Sequence, residues 1–312
     1  MIVTVTINAA VDRTIIVKNL EKGKVQHGKL ISALPGGKGL NVARALKKLG
    51  NKVLVTGFVG GKNGEYIIEK LEKEGINFDF VKIKGDSREC LTIIDSETNI
   101  ITEINEDGPI VTQKELEKLI KKIENFKPKP KLIVFSGSVP PCLKNDIYKQ
   151  LIKIAKKREI KTVLDAKEIY LEEGIKEKPF IIKPNKIEAE FLLKHPLNTK
   201  EQILHGIKFF LDKGIKIVAI SFDKHGAFIG TSEGIWEFIA PTVKTVNTVG
   251  SGDVYLAGLI NGIIKNQSII ESGKLAIACG TANTLCQGAG IFKKSDIKKL
   301  LPLIKIKEFE RF

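Results

Sequence analysis

In NTVGSGDVYLAGLINGII, Asn247 to Ile264, a single carboxylate, Asp253, stands where a glycine-rich turn meets an apolar helical run. An acid there can cap the helix, accepting orphan amide hydrogen bonds and complementing the macrodipole. It can equally act on a bound molecule. Gly250, Ser251 and Gly252 leave backbone amides open to an anion such as phosphate. The stretch alone allows both readings.

Two further stretches have the same character. PGGKGLN, Pro35 to Asn41, opens a helix with glycines and a lysine. It matches neither the GxxxxGK[ST] phosphate loop nor a dinucleotide fingerprint, and an ordinary helix start accounts for it equally well. IKPNKIEAE, Ile182 to Glu190, puts Lys183 and Asn185 just after a strand and Glu188 on the first turn of a helix. Asn185 with Glu188 three residues on has the form of a capping box. The functional alternative makes Lys183 and Asn185 phosphate contacts and Glu188 an organiser of Mg²⁺-bound water.

The elements that must position these residues alternate. IVTVTIN precedes GLNVARALKKLG, KVLVTGFVG precedes EYIIEKLEKEG, and KLIVFSGS precedes NDIYKQLIKIAKKR; TVLDA, FIIKPN and IVAISFD follow with helical stretches between. This predicts a parallel sheet with right-handed crossovers and helices on both faces. Thr14–Leu34 and Glu89–Asn105 break the rhythm as hairpins, with turns near Lys22-Gly23 and Glu97-Thr98-Asn99. Together they suggest a small separate sheet, either a lid or a dimer contact. Ligands of open parallel sheets bind beyond the carboxyl ends of the strands. Asn8 and Asp12, Gly60-Gly61, Ser136-Gly137-Ser138, Asp165 and Lys183-Pro184-Asn185 all follow strands and should face one edge.

Composition narrows the partners. Lys+Arg 51 against Asp+Glu 36 gives a net charge of +15, which favours anions. Most lysines lie on amphipathic runs such as Thr112–Phe126, and there is no basic block of the density that nucleic acid requires. Arginine is confined to Arg13, Arg44, Arg88, Arg158 and Arg311, three of them near the motifs, and its rigid fork suits phosphate. Cys90, Cys142, Cys279 and Cys286 have no CxxC spacing and are expected to be reduced thiols of a cytoplasmic protein. Cys279 and Cys286 are expected to share a core-facing helix side, and Cys90 to lie near the substrate or in the core. The start MIVTVTINAAVD lacks the basic opening of a signal peptide, and the uncharged run Leu275–Phe292 fits a buried helix better than a membrane span.

Taken together and in this order, GGKGLN, GDSRECL, SGSVP, IKPNKIE and VGSGD resemble the PfkB branch of the ribokinase-like sugar kinases, in particular its 1-phosphofructokinase and tagatose-6-phosphate kinase branch. The resemblance implies one α/β/α domain over residues 1–312, with a central mostly parallel sheet and a β-sheet lid from segments of about 13–34 and 86–106. It implies ATP with Mg²⁺, and γ-phosphate transfer to a free hydroxyl of a phosphosugar: fructose 1-phosphate first, tagatose 6-phosphate as the alternative. By position, Asp253 matches the catalytic base and Gly250, Ser251 and Gly252 the anion hole. Asp12, Gly37, Lys38 and Asn41 match the sugar contacts, and Arg88, with Lys38 and Ser136 or Gly137, would hold the substrate's own phosphate. Lys183, Asn185 and Glu188 match the ATP-phosphate and magnesium side, and Ser221, Gly226 and Asn283 the nucleotide. A homodimer through the lid is implied as well, with no nucleic-acid or membrane partner. A non-catalytic nucleotide or sugar-phosphate sensor would not need Asp253. Two departures stand out: Asn8-Ala9-Ala10 lacks the usual proline, which leaves φ free beside Asp12, and the nucleotide loop carries Asp223, an acid that tolerates positive φ.

Overall fold

The computed structural model of the chain describes residues 1–312. Its 11-stranded main sheet runs from Lys305–Arg311 at one edge through Gly234–Ile239, Gly226–Thr231, Ile217–Ser221, Ile181–Ile182, Lys161–Asp165, Leu132–Ser136, Ile2–Thr6 and Val53–Gly60 to Asn77–Phe78, with the eleventh strand, Val81–Ile83, also paired to Val53–Gly60. From Ile217–Ser221 to the far edge neighbours pair parallel, while the strands at the Lys305 end pair antiparallel. Period-two alternation sends apolar side chains to both faces. Leu132 and Val134 enter one core with the helices Lys38–Lys48, Ser251–Ile264 and Ile269–Thr284. Ile133 and Phe135 enter the other with Gln113–Asn125, Ile147–Lys157 and Lys200–Asp212. The result is the expected three-layer ribokinase-like architecture.

A second sheet of four strands, in the order Lys29–Gly36, Ala10–Val17, Arg88–Asp95, Ile101–Asn105, joins the two hairpins foreseen in the sequence. Asp12 lies inside it, paired with Leu34 on one side and Cys90 on the other. That double ladder fixes the turn after Asn8 although the proline is missing. Asp223 opens the short turn Asp223–His225 and adopts φ 46°, a positive value that an aspartate tolerates.

Gly60 and Gly61 close the strand Val53–Gly60 at the expected edge of the sheet and pack there against Gly85 and Asp86, where the chain enters the second sheet. One expectation is corrected. The helix of Cys279 ends at Thr284, so the half-buried Cys286 lies beyond it, off the shared face. All the cysteines are free, and no helix is long and apolar enough to cross a membrane.

The helix that carries Asp253 is almost wholly buried, and it packs on Ile269–Thr284 at glycines. A Cβ at Gly258 would lie 2.8 Å from Ala276 Cα and 2.9 Å from the Leu275 carbonyl oxygen. Both obstacles are backbone, so a side chain there must force the helices apart. Gly258→Ala should lower unfolding free energy by about 1–3 kcal/mol in urea titrations, the usual cost of overpacking a core.

Candidate active site

The carboxyl ends of the parallel strands and one face of the second sheet enclose a cleft of about 1150 Å³. It is lined by Asp12, Gly37, Lys38, Asn41, Arg88, Ser136, Gly137, Lys183, Asn185, Ser221, Gly226 and the whole turn Gly250–Asp253. The acid and the cations from distant parts of the chain therefore share one space.

Gly250 takes a left-handed conformation, φ 78°, just before the helix, and a Cβ there would come within 2.6 Å of the Ala289 side chain. Only glycine meets both conditions. Ser251 N–H donates back to the Thr248 carbonyl at 3.1 Å and Asp253 N–H to the Gly250 carbonyl at 3.1 Å, whereas Gly250 and Gly252 N–H donate to no backbone carbonyl. A Cβ at Gly252 would be 3.7 Å from Lys183 Nζ, so the lysine ammonium stands directly over the turn. Two open amides at a helix N-terminus with a cation above them form a site for phosphate oxygens.

Asp253 does not cap its helix, since no side-chain cap bond is made at this end. Its Oδ2 accepts a hydrogen bond from Asn41 Nδ2 at 2.8 Å. Arg44 donates to the other end of that amide, Asn41 Oδ1, at 3.2 Å, and so fixes which way the amide points. Burial first, and then the negative charge of Asp165, raise the Asp253 pKa to about 7 against the pull of Lys38, Asn41 and Lys183. A carboxylate with that value can hold or release a proton near neutrality.

Asp165, at the end of its strand, is the residue whose role sequence reasoning missed. Its Oδ1 accepts a hydrogen bond from Lys38 Nζ at 2.9 Å and pairs with Lys183 Nζ at 3.4 Å, while Ser136 Oγ donates to Oδ2 at 3.4 Å. Burial disfavours its charge, but Lys183 and Lys38 outweigh burial and hold the carboxyl below the usual range. Burial likewise opposes the charge on Lys38, yet Asp165, Glu188 and Asp253 hold that ammonium above the usual lysine range. Its sequence signal was only a polar residue closing TVLDA, because the partners lie far along the chain.

Of the three arginines near the motifs, only Arg88 lines the cleft. Its guanidinium donates to the Asn8 carbonyl at 3.3 Å and the Glu106 carbonyl at 2.8 Å. Arg44 is buried on Glu74, Asn41 and backbone carbonyls, and Arg13 pairs with Glu89. Near Arg88, burial pushes Asp12 up to about 6 against Arg88 and Arg44, with Glu103 adding to the rise. Cys90 lines the same wall, its thiol pushed up to about 11 chiefly by burial.

Lys183, Asn185 and Glu188 combine both readings of their stretch. The capping box is complete: Glu188 N–H donates to Asn185 Oδ1 at 2.8 Å and Asn185 N–H to Glu188 Oε2 at 2.9 Å. Glu188 Oε1 nevertheless remains buried without a partner. No three carboxylate, histidine or cysteine side chains converge as a metal cage. Glu188 itself does not line the cleft, so the residues present fit a divalent ion only through an intervening water that its spare oxygen would hold. Asn283 stands apart from the cleft. It is fully buried, donating to the Val249 carbonyl and accepting from Ile291 N–H, so it fastens the loop before the glycine turn.

The chain is 33% identical over 311 residues to a tagatose-6-phosphate kinase of Staphylococcus epidermidis, covering 99% of this chain and 100% of that one. It is 31% identical over 309 residues to a 1-phosphofructokinase of Borreliella burgdorferi, covering 99% of each. The structure of phosphofructokinase-2 from Escherichia coli in complex with potassium matches with a TM-score of 0.92 at 26% identity, over 97% of this chain and 98% of that one. Residues 3–296 match the pfkB family carbohydrate kinase description, and the chain therefore belongs to the pfkB family, whose members are phosphotransferases acting on a sugar hydroxyl.

Proposed function

We propose that this chain is an ATP-dependent phosphohexose kinase that converts fructose 1-phosphate to fructose 1,6-bisphosphate, with Asp253 as its general base. The observation that carries the reading is the single cleft in which Asp253 meets the open amides of Gly250 and Gly252 and the cations Lys38, Lys183 and Arg88. Arg88 and Lys38 hold the phosphate that the sugar already bears, with Ser136 and Gly137 beside them. Gly37, Asn41 and Asp12 hold the sugar so that its free hydroxyl faces Asp253. Ser221 and Gly226 line the nucleotide end of the cleft, where Lys183 and Asn185 meet the ATP phosphates.

In the reaction Asp253 takes the hydroxyl proton, the new O–P bond forms at the γ-phosphorus, and the bond to the β-phosphate oxygen breaks to release ADP. The glycine amides and lysines stabilise negative charge on the phosphoryl group in flight, which supplies most of the catalysis in such transfers. Mg²⁺, held on the ATP oxygens and through water by Glu188, would neutralise phosphate charge when bound. The second sheet serves as the lid over this cleft. Two copies of the chain pair through that sheet, where Leu30, Ile101 and Ile104 are exposed.

A coupled assay across fructose 1-phosphate, tagatose 6-phosphate, fructose 6-phosphate and unphosphorylated sugars tests the reading. Preference for a phosphohexose is expected, and preference for an unphosphorylated sugar overturns the Arg88 role. Replacing Asp253 with Asn should cut turnover by roughly 10²–10⁴-fold, the usual worth of a general base, while calorimetry finds sugar affinity largely kept. Protonated Asp253 cannot accept a proton, so kcat/KM should fall as the pH drops through about 7 and level off above it. A flat profile from pH 6 to 8 (roughly one unit either side) would remove Asp253 from the role of base.

A further inference from the structure

The face that the second sheet turns to the cleft is set out in rows. At its root Arg88 pairs with Ala10. The next row crosses Asp12, Cys90 and Asn105, and the row beyond crosses Thr14, Thr92 and Glu103. All of them except Ala10 line the cleft. Successive rows are about 7 Å apart, two residues along a strand. Glu103 is the acid of the outer row, and Arg88 the only arginine of the cleft.

Apart from Asp12, which shares the cleft face, the other acids of this sheet have partners, and the Asp95 carboxylate accepts from Asn19, Leu20 and Glu97 N–H. Glu89 pairs with Arg13 on the opposite face, and the Glu106 carboxylate accepts from Glu89 N–H at 2.7 Å. Glu103 has neither an ion pair nor a hydrogen bond, and it is exposed to the cleft. From the outer row its charge adds to the rise of both Asp12 and Cys90, one row closer to the root. An unpaired acid in a pocket that must hold a phosphate opposes binding, unless it gains hydrogen bonds from another part of the ligand. The polar groups beside it, Thr14, Thr92 and Asn105, are those that recognise hydroxyls.

We propose that Glu103 is a specificity-determining residue which, together with Asp12, accepts hydrogen bonds from sugar hydroxyls lying between the bound phosphate and the hydroxyl that reacts. The inference rests on the phosphohexose reading. It also assigns Glu103 a second effect: its charge makes the outer rows unfit for a phosphate, and so fixes which end of the substrate meets Arg88.

Steady-state kinetics of Glu103→Ala and Glu103→Gln test this. The alanine variant should raise the sugar KM about 10-fold and change its preference among phosphohexoses, with kcat and the ATP KM altered less than about 2-fold; glutamine should restore most of the loss. An unchanged sugar KM overturns the proposal, as does a joint rise in the sugar and ATP KM, which would mark a purely structural role on an edge strand. Should Glu103→Ala lose all turnover, calorimetric sugar affinity in the Asp253→Asn background decides, and equal affinity with and without Glu103 overturns it. If the wild-type protein phosphorylates only unphosphorylated sugars, the phosphohexose reading fails separately, and the same comparison on that sugar still tests Glu103.

Discussion

The cleft depends on the charge balance around one buried carboxylate. Asp165 is shielded from water and shared by Lys38 and Lys183, which arrive from two different glycine- or proline-containing turns. An unpaired ion in that position would carry a desolvation penalty of several kcal/mol. The pairing lets two ammonium groups stand close together in the cleft without mutual repulsion scattering them. It also sets the field at Asp253, since Asp165 raises that carboxyl while the lysines lower it. Binding cations and basic carboxylate are thus two sides of one electrostatic arrangement.

Much of this was legible in the sequence because it is local. Alternating strands and helices gave the three layers, and the broken rhythm gave the second sheet. The capping box at Asn185 and Glu188 and the glycine turn before Asp253 were visible as short patterns whose geometry follows from residue type. A sequence pattern could not show that Glu188 caps its helix and still keeps a free oxygen, because that depends on how the side chain is buried.

What escaped notice depends on contacts between distant positions. Asp165 is separated from Lys38 by 127 positions, and Asn41 from Asp253 by 212. Arg44 looked like a phosphate ligand because it is an arginine near a glycine turn, yet its five donors meet Glu74, Asn41 and backbone carbonyls inside the core. Gly60-Gly61 was placed by its strand at the ligand edge of the sheet, and only the structure shows that its glycines admit the close approach of the chain at Gly85 and Asp86. In each case residue type was informative, and the direction of the side chain or backbone was not.

The second sheet has a mechanical consequence. It joins the main body at its root, where Ala10, Gly36 and Arg88 lie side by side, and it extends outward to the turn at Lys22-Gly23. In a lever fixed at one end, displacement grows with distance from the pivot. A tilt that carries the tip through several ångströms would shift Arg88 and Asp12 by only a fraction of that. The groups at the root are therefore the part of the cleft wall whose position depends least on how the outer rim is set.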